Sequence, residues 1–142
     1  MSGDRAFLDT NLFVYLYSDN DASKKKCVMD AIDSYDSFVS TQVLNEFCNV
    51  CISKLKLSPS EVRNAVIEIR RACNLVIVDD ATTMSALELH ERYGYSYYDS
   101  LIAVSALESD CQYLLTEDMS DGQIIEGSLQ GSLTVKNIFT NS

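Results

Sequence analysis

The chain is short of proline, glycine, histidine and positive charge. It holds one proline, five glycines, one histidine and no tryptophan. So little proline and glycine excludes a linker-like or low-complexity chain and suits a helix-rich globular core. A single histidine, with no second cysteine pair, leaves too few ligands for a zinc site. Apolar runs stay well below the ~20 residues of a membrane span. Lysine and arginine number 11 against 21 aspartates and glutamates, a net charge of -10. A protein that grips a long nucleic-acid backbone normally shows a basic face, so the balance is the strongest evidence against a nucleic-acid enzyme. Met1-Ser2-Gly3-Asp4-Arg5 lacks the basic-then-apolar pattern of a signal peptide. A cytoplasmic protein with no membrane partner is expected.

Five cysteines are an odd number without a disulfide-like spacing. Within apolar helical patterns they read as small hydrophobes in a reducing compartment. Cys48-Asn49-Val50-Cys51 matches C-x-x-C, but it falls about two turns into a helix, whereas redox pairs sit at helix N-termini. Core packing is the expectation. The basic groups Lys24-Lys25-Lys26, Lys54 with Lys56, and Arg63 with Arg70-Arg71 read as solvated helix faces.

At 142 residues and 46% hydrophobic, a single domain over 1–142 is expected. Short apolar segments at 5–8, 37–40, 75–78, 113–116 and 133–135 predict five strands. Helical periodicity predicts helices at 12–17, 22–34, 41–56 and 81–93, with Gly94 as the stop of the last. Another begins at Ser58-Pro59-Ser60-Glu61, which has a serine cap, proline first and glutamate third. Ser96 caps a further helix, and a short one is expected at 123–126. Strands alternating with helices indicate an α/β fold on a parallel sheet.

Four acids stand out against this frame. Asp9 follows the first strand and Asp118 the fourth, where ligands of open parallel sheets bind. Either residue is equally well placed as a helix cap. Glu46 lies on the inward stripe Val43-Phe47-Val50 and has no lysine or arginine three or four residues away. A carboxylate there is expensive to bury alone. Asp99, third after Ser96, occupies a capping position that also favours the helix dipole. Carboxylates brought together repel unless a cation shares them. Mg²⁺ and Mn²⁺ prefer oxygen ligands. They activate water and stabilise a displaced phosphate, so metal-dependent phosphodiester cleavage is the leading chemistry. His90, among Glu88, Glu91 and Arg92, reads as ordinary surface.

The four motifs together resemble those of PIN-domain nucleases. Phe7-Leu8-Asp9-Thr10-Asn11 is similar to the family's N-terminal signature, and Val43-Leu44-Asn45-Glu46-Phe47 to the helix with its glutamate. Tyr97-Tyr98-Asp99-Ser100-Leu101-Ile102 and Leu114-Leu115-Thr116-Glu117-Asp118 resemble its third and fourth acidic motifs. The resemblance covers nearly the whole chain. It implies a three-layer α/β/α sandwich with a mostly parallel sheet of about five strands. It further implies a Mg²⁺- or Mn²⁺-dependent endoribonuclease with Asp9, Glu46, Asp99 and Asp118 as both catalytic and metal-site acids. Asn11 and Thr116 match supporting polar positions, and Asp121 is placed to join through water. By length, the chain looks most like a VapC-type toxin of a type II toxin–antitoxin pair. That implies an RNA substrate, a small antitoxin partner and a homodimer. The acidic balance suggests a structured substrate such as transfer RNA, gripped locally. Tyr93, Tyr95, Tyr97 and Tyr98 are expected to pack, with base stacking as the other use.

Other readings remain. A haloacid-dehalogenase-like enzyme needs an aspartate where Asn11 stands, and a receiver domain needs a lysine where the fourth strand ends in Thr116. The serious alternative is a PIN-like scaffold that binds RNA or protein without cutting.

Overall fold

The computed structural model describes residues 3–127 and 131–140. Along the chain run β1 (Arg5–Leu8), α1 (Thr10–Tyr17), α2 (Ala22–Ser34), β2 (Asp36–Ser40), α3 (Thr41–Ser53) and α4 (Pro59–Ala72). There follow β3 (Asn74–Val76), α5 (Asp80–Tyr93), α6 (Tyr97–Glu108), β4 (Tyr113–Leu115), β5 (Ile124–Glu126) and β6 (Ser132–Lys136). They build one sheet in the order β3-β2-β1-β4-β6-β5. All neighbours pair in parallel except β5, which runs antiparallel to β6.

Helices flank the sheet as a three-layer α/β sandwich, as expected. The connections from β1 to β2 to β3 step one way, and the connection from β3 to β4 steps back across the sheet. Right-handed crossovers therefore lay α1–α4 over one face and α5–α6 over the other. The packing agrees: α1 lies against α2 and α3, α3 against α4, and α5 against α6. Central β1 is covered on both sides, and Ala6, Phe7 and Leu8 are fully buried. In α6, every residue from Ser100 to Leu107 is buried, so this helix is apolar all round and enclosed by its neighbours.

Local chemistry sets the ends. Ser58 and Glu61 form the expected reciprocal capping box of α4. Gly94 ends α5 in the left-handed conformation, φ 75°, and its N–H bonds the His90 carbonyl. The helix after β1 starts at Thr10 rather than residue 12, because Asp9 itself caps it. α3 stops at Ser53, short of residue 56, with Lys54 as its cap and Lys56 at φ 57°.

Two expectations about the sheet are corrected. β3 ends at Val76, since the Val78 N–H turns away to the Thr41 hydroxyl at 3.1 Å. Ile124–Glu126 is a strand where a helix at 123–126 was expected, which makes six strands in the described residues. Gly122, at φ 84°, turns the chain there. Ile125 faces the core between exposed Ile124 and Glu126, opposite Leu133. A segment this short does not nucleate a helix, while an adjacent strand supplies its backbone partners at once. No helix in the described residues is long and apolar enough to cross a membrane.

Candidate active site

β1 and β4 lie side by side at the centre of the sheet, and the chain leaves them in different directions. Such a switch opens a crevice beyond the strand ends. The Asp9 N–H bonds the Leu115 carbonyl at 3.1 Å, which fastens the two ends together. Asp9 is 6% exposed. Its Oδ1 accepts the Thr10 N–H at 2.7 Å and its Oδ2 accepts the Thr116 hydroxyl at 2.8 Å. Burial pushes its pKa up from 3.8 to about 6. The bonds from Thr116 and Thr10 oppose the rise, and the charges of Asp118 and Asp99 add to it.

Thr116, itself buried, links two acids. It donates to Asp9, and its oxygen accepts the Asp118 N–H at 3.1 Å. Asn11 donates from Nδ2 to Asp118 Oδ2 at 3.3 Å. The Asp118 pKa is raised by partial burial, then by the charges of Asp99 and Glu117. Asp99 sits in the first turn of α6, its N–H bonded to the Ser96 hydroxyl at 3.1 Å. Asp9, Asp99 and Asp118 are thus close enough to feel one another's charge.

Glu46 joins through neutral partners. It is half-buried on α3. Its Oε2 accepts the Thr10 hydroxyl at 3.2 Å and the Gln42 amide at 3.0 Å. Thr10 therefore bridges Asp9 and Glu46, by its N–H to one and its hydroxyl to the other. The ion pairs in the described residues, Lys24–Glu117 and Lys26–Asp30, leave Glu46 aside. Thr10 and Gln42 escaped the sequence reading, which sought a cation for Glu46. Gln42 lies four residues before Glu46, on the same helix face, and that spacing was the available signal.

Two other acids turn elsewhere. Asp121 Oδ1 accepts the Asn137 N–H at 2.8 Å in an exposed turn, bonding none of the four acids. Glu117 binds Lys24 at 3.0 Å and the Tyr15 hydroxyl. No group of three or more His, Cys, Asp and Glu in the described residues is drawn together tightly enough to hold a metal ion.

The cysteines take no part. Cys51 is buried in α3, and burial pushes its thiol up to about 11, away from reactivity. His90 is exposed and binds the Tyr95 carbonyl through Nδ1. Of the tyrosines near Asp99, Tyr93 and Tyr95 stack on each other at 5.4 Å. Tyr98 differs, with 60% of its surface exposed.

Residues 6–120 match the family model of the PIN domain. The chain belongs to the PIN domain family. Solved structures show the same PIN fold. A toxin–antitoxin complex from Klebsiella pneumoniae aligns over 94% of this chain and 98% of its own, with TM-score 0.68 and 15% identity. VapC20 from Mycobacterium tuberculosis, described as a sarcin-ricin loop cleaving toxin, aligns over 77% and 86%, with TM-score 0.63 and 18% identity. FitAcB from Neisseria gonorrhoeae aligns over 95% and 99%, with TM-score 0.62 and 17% identity. At such identities the likeness is one of PIN architecture. No curated protein matches the chain.

Proposed function

We propose that this PIN domain is a metal-dependent endoribonuclease and the toxin half of a type II toxin–antitoxin pair. Asp9 carries the reading. Burial and two neighbouring carboxylates push it toward neutrality at the mouth of the sheet, an arrangement unfavourable without a cation. The all-oxygen donor set suits Mg²⁺ or Mn²⁺, with Asp9, Glu46, Asp99 and Asp118 as the residues that would hold it. When bound, such an ion supplies an activated water and offsets charge on the displaced phosphate.

The chain's own part is to fix the carboxylates. Thr10 and Thr116 hold the two oxygens of Asp9. Asn11 steers Asp118, and Gln42 with Thr10 steers Glu46. The similar solved structures from Klebsiella pneumoniae and Neisseria gonorrhoeae support a small antitoxin as partner. A second copy of the chain and a structured RNA, such as transfer RNA, complete the proposal.

The test compares purified, partner-free protein with Asp9→Asn on total cellular RNA, in Mg²⁺, Mn²⁺ and EDTA, with fragment ends mapped. Metal-dependent cuts at discrete positions, absent from the variant, are expected. Equal cutting by both proteins would place the activity elsewhere. No cutting by either folded protein would favour the silent scaffold.

A further inference from the structure

A groove of about 560 Å³ opens beside Glu46, between α3 and the segments that lead into α5 and α6. Gln42, Asn45, Asn49, Val78 and Tyr98 line it with Glu46. The bond from Val78 N–H to Thr41 holds its far wall against α3. We propose that this groove is a subsite for one unpaired nucleobase, adenine, next to the cleaved phosphate. The inference rests on the nuclease reading and adds to it the base that the site selects.

Residues 42, 45 and 49 recur at helical spacing, so α3 presents three amides along one face. Gln42 gives its Nε2 to Glu46, and its Oε1 is buried without a partner. Turning that amide over would set its oxygen against the Glu46 carboxylate, so the orientation is fixed. Asn45 and Asn49 are exposed, and their side-chain amides bond no protein group in the described residues. Tyr98 supplies a flat face, and Tyr97 buttresses its ring edge-on at 5.5 Å. Tyr98 lines the same groove as Glu46, one of the four acids.

No lysine or arginine lines the groove, so it does not suit phosphate. An uncharged planar ring with hydrogen-bonding edges does suit it: aromatic faces stack on bases, and amides read their edges. Asparagine and glutamine pair bidentately with adenine, whereas guanine is read by arginine or lysine. An exposed asparagine amide of α3 offers adenine both an acceptor for its amine and a donor for its ring nitrogen. The base is unpaired, because only a splayed-out base can lay its face on Tyr98.

The experiment uses heptauridine RNA and its forms with a central A, C or G. Binding to Asp9→Asn is read by fluorescence anisotropy. In parallel, cut sites of the otherwise wild-type protein are mapped on total RNA, together with those of Asn45→Ala, Asn49→Ala and Tyr98→Ala. These side chains are solvent-facing, so the variants fold. Expected are about tenfold tighter binding of the central-A RNA than of the G or U forms, and adenine at one fixed position beside the cuts. Asn45→Ala or Asn49→Ala flattens that preference, and Tyr98→Ala weakens all four RNAs about tenfold. Cutting indifferent to the neighbouring base, or a preference unchanged in all three variants, overturns the subsite and leaves the nuclease standing. Adenine-selective binding without any cutting overturns the nuclease reading and leaves the subsite standing.

Discussion

Asp9 ties the stability of the fold to the group that would serve the chemistry. Its pKa is about 6 in the folded chain against an ordinary 3.8. The folded state therefore binds this proton more tightly than the unfolded one. The stabilisation is complete below about pH 4 and is lost as pH rises through about 6. A shift of about two units corresponds to something of order 3 kcal/mol. In EDTA near neutral pH, Asp9→Asn is expected to be more stable than the parent by about 1–3 kcal/mol, with the gap closing toward acid. Urea unfolding across a pH series measures it. Added Mg²⁺ should raise the stability of the parent and leave Asp9→Asn unmoved, since only a ligand bound to the folded state stabilises it. Thr10 invites a second prediction. Thr10→Val keeps the N–H that binds Asp9 but removes the hydroxyl that holds Glu46. One such bond is worth about 1–1.5 kcal/mol, so single-turnover cleavage should fall about tenfold with little change in substrate affinity.

Among the elements, β5 offers the cleanest check on the sheet. Ile125 is fully buried while its neighbour Ile124 is 58% exposed. Ile125→Ala should cost about 2–4 kcal/mol in urea unfolding, and Ile124→Ala less than about 0.5 kcal/mol. That strand was illegible in the sequence because three residues carry too little pattern, and its state is decided by pairing with β6. The strands beginning at Arg5, Asp36 and Tyr113 were legible because their burial leaves a short apolar signature. Asp9 and Asp118 were legible for a related reason, since acids that abruptly end such runs mark the open end of the sheet. The settings of Glu46 and Tyr98 were not. Neutral hydroxyl and amide partners leave no charge pattern, and the exposure of one tyrosine among four depends on how α6 meets α3.

Over the whole molecule, the charge of -10 bears on how the proposed RNA substrate would be held. Lys24 is already engaged by Glu117, and the arginines of α4 lie exposed, outside the groove beside Glu46. Few cations remain for phosphates near the acids. The affinity of Asp9→Asn for its RNA should therefore fall only gently with salt, with a log–log slope of about -2 or shallower. Anisotropy over a salt series gives the slope, and a steep one would reveal a long backbone grip.

The two rims of the sheet carry a consequence of their own. β3 closes one side and β5 the other, and each is three residues long. Strands so short offer almost no ladder of free N–H and C=O groups to an incoming chain. A protomer built this way resists stacking edge to edge into fibrils. A copy or partner that joins it is expected to come in away from the sheet edges.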